Sequence, residues 1–304
     1  MFIACLISIL AAFLYSLTNH IDKFLVDGVD KAGSNVKTLL LFSTLVSGLV
    51  FAPIMLIVTG FDFKISLISF ISVISAAISS SIALYFYFKS LEKSDVSIVV
   101  VMFQLIPVFS YIMGVILFNE TLSFRQITGS LIIIVSTILI SINIENKTKS
   151  NFKVLLLMAL SSFLYSVYYI LFDIGIRHSS YNACIFYLQV GFLLVGLVLI
   201  CIKSFRTTFV KAVKNNGKKY FSLNVINELL NITAGALENY ANVLVPIALV
   251  TVITRIQVIF VFILGLIGTL LLPKIFNEDI SRKTIFKKVF CIILSIIGFI
   301  VAFA

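Results

Sequence analysis

Charge is scarce in this chain. Only 12% of its 304 residues are charged and 61% are apolar, whereas an ordinary soluble domain is about 25% charged. With a mean hydropathy of +1.16, a water-soluble fold of this length is excluded, because it would have nowhere to hide so much apolar surface. Histidine is rarer still, limited to His20 and His178. With no HExxH and no GxSxG, the sequence offers neither a zinc-protease helix nor a nucleophile elbow. Cys5, Cys184, Cys201 and Cys291 stand singly inside apolar runs, without a CxxC pair, so they read as packing residues. A GxxxxGK[ST] loop is also missing, which excludes energy supply through that nucleotide-binding motif. These absences describe a protein that is not an enzyme and needs no metal or cofactor.

What is present is a series of long apolar runs. Ten stretches, 2–20, 36–59, 66–88, 96–118, 125–143, 153–176, 183–202, 221–244, 247–272 and 285–303, have the length and composition of membrane-spanning helices. The first lacks a basic leader region and a cleavage site of small residues, and it reads as a true span. Polar breaks separate the runs, the longest from Lys203 to Lys219, and none is long enough for a soluble domain. A net charge of +10 raises nucleic acid as a partner, but the basic residues sit in the breaks and form no patch interleaved with aromatics. Of the 23 Lys and Arg residues, all but Lys64, Arg125, Arg177 and Arg255 fall on the odd-numbered connections. By the positive-inside rule those connections are cytoplasmic and both termini lie outside.

The sequence also repeats itself. Phe13-Leu14-Tyr15-Ser16 in the first span recurs as Phe163-Leu164-Tyr165-Ser166 in the sixth, Gln104 in the fourth as Gln257 in the ninth, and Asn119-Glu120 as Asn277-Glu278. The matches keep their order and fall on equivalent spans, dividing the chain into residues 1–145 and 150–304. An odd number of spans per half makes the second half enter the membrane in the opposite sense. The expected fold is therefore an all-α membrane protein of ten transmembrane helices, arranged as two inverted-topology five-helix repeats.

The stretch from Tyr87 to Ile140 contains Leu105-Ile106-Pro107-Val108-Phe109, then Phe118-Asn119-Glu120-Thr121-Leu122-Ser123, then Gly129. In these features it resembles the EamA domain of the drug/metabolite transporter superfamily. The second half follows the pattern less closely, with Phe260 where Pro107 would stand and Leu272-Pro273-Lys274-Ile275-Phe276 lengthening the approach to Asn277-Glu278. The resemblance implies transport of a small solute across a bacterial cytoplasmic membrane. It also implies termini on the cytoplasmic side, opposite to the charge count. The same superfamily includes lipid-carrier flippases and helper subunits of envelope assembly, which is the alternative function.

Ionisable and amide groups within the spans are the site candidates, because a charge at mid-membrane costs about 2.5 to 3.5 kcal/mol on insertion scales. Asn224, Asn227, Glu228 and Asn231 fall at i, i+3, i+4 and i+7 of the eighth span, and Glu238 and Asn242 continue the stripe. Interhelical amide bonds explain part of such a face; two acids among the amides point further, to a hydrated cavity. Arg255 and Glu238 flank the turn near Pro246 at similar depth, so they either pair or leave Arg255 to hold an anionic or zwitterionic solute through its planar fork. Gln104 and Gln257 are candidates to face each other across the repeat axis, with helix packing as the plain alternative. Tyr15 and Tyr165 are candidates to stack on an organic solute or simply to pack. In the first span Asn19, His20, Asp22 and Lys23 lie near the interface, where Lys23 can snorkel and His20 is either solvated or a proton relay. Ser66, Ser69, Ser72, Ser75, Ala76 and Ser79 form a seam of small residues that serves close packing.

Taken together, the expected protein is a permease moving a small organic metabolite or drug-like solute by alternating access. Arg255, Glu238, Asn231, Asn227, Gln104, Gln257, Tyr15 and Tyr165 are its expected substrate contacts, and Glu228 and Glu238 are the acids placed to couple protons. Its expected partners are the solute, the lipid bilayer and at most a second copy of itself, as a monomer or homodimer, with no nucleic acid.

Overall fold

The computed structural model describes residues 2–27, 36–58, 60–61, 63–118, 123–141, 148–244, 250, 253–254, 256–272, 276 and 278–303. Among these, all regular structure is helical. Helix α1 is Phe2–Asp27, α2 is Val36–Val58, α3 is Leu67–Leu91 and α4 is Val96–Leu117. They are followed by α5 (Phe124–Ser141), α6 (Thr148–His178), α7 (Tyr181–Cys201), α8 (Lys203–Leu244), α9 (Gln257–Leu271) and α10 (Arg282–Phe303). Among the described residues, seven helices are long and apolar enough to cross a membrane: α1, α2, α3, α4, α6, α7 and α10. Two apolar helices, α5 and α9, are shorter.

Proline disrupts two of these helices at positions that matter later. In α2, Pro53 has no N–H to offer the carbonyl one turn back, and the preceding turn, Ser47–Phe51, widens into π geometry so that the Ala52 N–H reaches the Ser47 carbonyl. In α4, Pro107 cannot close the bond to Phe103. The helix stops at Met102, tightens so that Gln104 and Ile106 donate to carbonyls three residues back, and resumes at Leu105.

The expected break between Lys203 and Lys219 is not a loop. Lys203–Leu244 is one helix of 42 residues, about 63 Å long at 1.5 Å per residue, roughly twice a hydrocarbon core of about 30 Å. The sequence cue was the charge of this stretch, but charge is compatible with helix wherever the helix leaves the membrane. Its polar face also explains why α8 is missing from the seven apolar spans.

Inside and outside are inverted relative to a soluble protein. Phe2, Ile57, Val58, Leu271 and Phe286 are among the exposed large side chains, whereas Ser8, Ser16, Thr38, Ser69, Ser136, Ser161, Ser162, Ser166 and Ser295 are fully buried. Buried hydroxyls either turn back onto their own helix, as Ser8 does to the Ala4 carbonyl and Thr44 to that of Leu40, or cross to a neighbour. The serines of α3 form the expected seam. Ser69 donates to the Gly175 carbonyl and Ser79 to that of Leu164, while Ser161 of α6 returns a bond to Ala83. Of the cysteines, Cys184 and Cys291 are buried packing residues as expected, but Cys201 is exposed.

The helices pair in a definite order. α1 packs on α8 and α9, α6 on α3 and α4, α2 on α8, α7 on α3, α2 on α7, and α5 on α10. Phe13 of α1 meets Phe260 of α9 edge-on at 5.7 Å and 85°, and Phe163 of α6 meets Phe109 of α4 at 5.7 Å and 84°. At the α5–α10 crossing a Cβ on Gly129 would lie 2.5 Å from the Gly298 carbonyl oxygen and the Ala302 nitrogen. Gly129→Val therefore forces these helices apart. We expect a loss of about 1 to 3 kcal/mol, read as a lower unfolding midpoint of the detergent-purified protein; an unchanged midpoint would contradict the close crossing.

Candidate functional site

The polar stripe of α8 turns inward at one end. Asn224, Asn227 and Glu228 are buried, and Asn231 is exposed. Each acid of the stripe is met by a neutral donor from another helix. Ser47, the first residue of the widened turn in α2, donates to Glu228 Oε1 at 3.0 Å, and Ser43 and Asn231 also bond the Glu228 carboxylate. Tyr15 of α1 donates its hydroxyl to Glu238 Oε2 at 3.1 Å. Gly235, one turn earlier on α8, lies beside that hydroxyl, where a Cβ would make an ordinary contact at 3.4 Å.

A third acid belongs to the same seam. Asp22 of α1 accepts from Asn227 Nδ2 at 2.7 Å and is 3.1 Å from the Tyr87 hydroxyl of α3, which also lies 2.9 Å from Asn19 Oδ1. Asp22 is within electrostatic reach of Glu228. Tyrosines of α6 form the facing wall. Tyr165 is within reach of Asp22 and Glu228, and Tyr168 of Glu238. Tyr165 packs edge-on against Phe103, at the interruption of α4, and Phe103 lies 5.2 Å from Tyr87. The seam thus holds three carboxylates served by hydroxyls and amides, and lined by aromatic rings.

A separate buried cluster ties α4 to the approach and start of α10. Lys288 is 2% exposed and bonds Asp95 Oδ2 at 2.6 Å, Glu278 Oε2 at 3.0 Å and the Asp279 carbonyl. Glu278 also accepts from the Ser97 N–H at 3.1 Å and the Ser97 hydroxyl at 2.6 Å. Gly265 of α9 makes space for it, because a Cβ there would fall 2.8 Å from the carboxyl. Beside it, Asp279 is held below the usual carboxylate range, first by the Ser281 N–H and then by the Thr284 hydroxyl. A depressed carboxylate stabilises the fold above its unfolded pKa and loses that effect as pH falls through the lowered value, so this start of α10 weakens only in acid.

Several sequence expectations change. Lys288, counted as a topology charge, is a buried ion-pair centre. His20 is not solvated: it is 8% exposed, its Nε2 donates to the Val261 carbonyl at 2.9 Å, and its ring lies against Phe276. Lys23 reaches the Leu91 carbonyl and Asp27. Gln104 is buried at the break in α4 with Oε1 unpartnered, Gln257 is half-buried, and no hydrogen bond joins them among the described residues. Arg255 lies outside the described residues, as do Asn119, Glu120 and Asn277, so the only described partner of Glu238 is Tyr15. Asp22, Asn19 and Tyr87 join the site beyond the sequence expectation. The signal existed, because Tyr15, Asn19 and Asp22 fall at i, i+4 and i+7 on one face of α1.

Residues 2–142 match the EamA-like transporter family. The match covers α1 to α5, just under half of the chain, and supports a membrane transporter of the drug/metabolite transporter superfamily. A solved structure described only as the crystal structure of a protein is 13% identical, with a TM-score of 0.51 over 98% of this chain and 96% of its own; that likeness concerns the fold alone. No curated protein matches the chain closely enough to count as a relative.

The Lys288 cluster makes a direct prediction. Removing one partner of a buried ion pair costs about 3 to 5 kcal/mol, because the other charge is left uncompensated. Lys288→Met should lower the unfolding midpoint sharply. Adding Asp95→Asn and Glu278→Gln should recover part of the loss; if the triple variant is no more stable than the single one, the ion cluster is not what Lys288 serves.

Proposed function

We propose that the protein is a secondary transporter that moves a small organic solute across a bacterial cytoplasmic membrane by alternating access. The observation that carries the reading is the seam between α1, α2 and α8, where Glu228, Glu238 and Asp22 are met by Ser47, Tyr15 and Asn227. Acids kept inside a membrane protein without a described cationic partner, unlike Glu278 with its Lys288, mark ion or substrate paths. Glu228 and Glu238 couple solute movement to protons, each releasing its proton as the seam opens to the opposite side.

Alternating access requires two halves that rock about a shared axis, and residues 1–145 and 150–304 are those halves, in inverted topology over ten spans. The order of packing supports this. Exchanging α1 with α6, α2 with α7, α3 with α8, α4 with α9 and α5 with α10 maps each of the pairings given above onto another of them or onto itself. The Phe13–Phe260 and Phe109–Phe163 contacts, alike in distance and angle, join the exchanged pairs α1–α9 and α4–α6, with the ring on α4 two residues past the position that matches Phe260.

In proteoliposomes under an imposed pH gradient, with a solute found by thermal-shift screening of metabolites, Glu238→Gln and Glu228→Gln should each weaken gradient-driven accumulation while leaving exchange of solute across the membrane measurable. If both variants keep the wild-type dependence on the gradient, proton coupling through these acids is wrong. Tyr15→Phe removes only the hydroxyl that serves Glu238. It should cost about 0.5 to 1.5 kcal/mol of stability and shift the pH profile of uptake; an unaltered profile would detach Tyr15 from the coupling step.

A further inference from the structure

Around Asp22 the hydrogen bonds do not close. The Tyr87 hydroxyl has one proton and stands between two acceptors, Asp22 Oδ2 at 3.1 Å and Asn19 Oδ1 at 2.9 Å, so only one of them receives it. Asn227 gives its Nδ2 to Asp22, and its own Oδ1 has no partner. Asn19 Nδ2 is also unpartnered, and both asparagines are 6% exposed. Turning the Asn19 amide over lets Nδ2 donate to Tyr87, commits the Tyr87 proton to Asp22 and leaves Asn19 Oδ1 as the open atom. In either arrangement Asn227 Oδ1 stays unserved and Asp22 keeps lone pairs without donors. Lys23, the nearest cation in sequence, is turned to Asp27 and the Leu91 carbonyl. Buried polar atoms left in this condition cost about 1 to 3 kcal/mol each, so among the described residues the cluster is short of a donor, and of positive charge.

We propose that Asp22 and Asn227 Oδ1 bind a primary ammonium group of the cargo. Such a group carries three N–H donors and the charge that the carboxylate lacks. The Tyr87–Phe103–Tyr165 series of rings, with centroids 5.2 and 5.7 Å apart, runs from this point and takes the organic body of the solute by stacking and cation–π contact. The cargo is thereby an amine, cationic or zwitterionic. This identification rests on the transporter reading only in calling the bound amine cargo; the binding itself does not.

Three probes of one skeleton test it: tyramine, its neutral alcohol analogue tyrosol, and the carboxylate 4-hydroxyphenylacetate. Tyramine should raise the unfolding midpoint of the purified protein at millimolar concentration, with tyrosol and 4-hydroxyphenylacetate giving little or no shift. Asp22→Asn, which keeps shape and removes charge, should weaken tyramine binding by about tenfold or more, the loss of one charge-assisted contact. Equal shifts from all three probes, no shift from tyramine, or unchanged tyramine binding in Asp22→Asn each overturn the ammonium site, and the first two need no variant to fold. Selective tyramine binding without uptake of labelled tyramine into proteoliposomes would uphold the ammonium site and count against the transport reading.

Discussion

A carboxylate inside a membrane must be met by something, and in this protein the described partners of the seam's acids are neutral. Glu228 takes hydroxyls and an amide, Glu238 takes a phenol, and Asp22 takes an amide and part of a phenol. Neutral donors can hold an ionised acid or let it be protonated without leaving a second charge stranded, which a Lys or Arg partner would not allow. That choice determines much of the surrounding packing. α8 must present its stripe to α1 and α2, α2 must bring Ser47 to Glu228, and α1 must carry Tyr15 and Asp22 on one face. The widened turn in α2 begins at Ser47 itself, so the proline that disturbs the helix and the hydroxyl that serves the acid share one local distortion.

The pairing of α3 with α6 shows the same kind of contact made without acids. There Ser69, Ser79 and Ser161 donate to carbonyls of the neighbouring helix, and Val73 packs into the space left at Gly175. Hydroxyl-to-carbonyl bonds satisfy every group whatever the pH, and they hold helices close through small side chains. In the reading of two exchanged halves, α3–α6 and α1–α8 are equivalent contacts. One is held by small residues and hydroxyls and the other carries acids, so proton loss would act on one of the two contacts between the halves far more than on the other.

The fold was largely legible because its signals are long and periodic. Apolar runs marked α1, α2, α3, α4, α6, α7 and α10, and the i, i+3, i+4 pattern on α8 marked the stripe that faces the site. What misled was reading charge by its place in a run. Asp22 and Lys288 lie near span ends, which suggests an interfacial place, yet position along a helix does not reveal which face a side chain occupies. Asp22 turns to α8 and Lys288 into a pocket of two carboxylates. Charge hides the helix from Lys203 for the same reason, because Lys, Arg and Ala extend a helix readily once it is in water. Tyr87 could not have been assigned, because its importance comes from α3 lying beside α1, a contact that no local pattern encodes.

The last turns of α1 join the two polar clusters. His20 and Asp22 are two residues apart, about 200° around the helix, and they face different partners: His20 the Val261 carbonyl of α9, Asp22 the α8 amide. His20 also lies within electrostatic reach of Glu278, the acid that Lys288 holds. Any rotation of α1 that frees Asp22 must therefore also break or carry the His20 contact, beside the ion cluster that ties α4 to the start of α10. A rigid helix with polar anchors on opposite faces cannot release one and keep the other unstrained. The seam and the Lys288 cluster thus share α1, which carries Asp22 toward one and His20, within electrostatic reach of Glu278, toward the other.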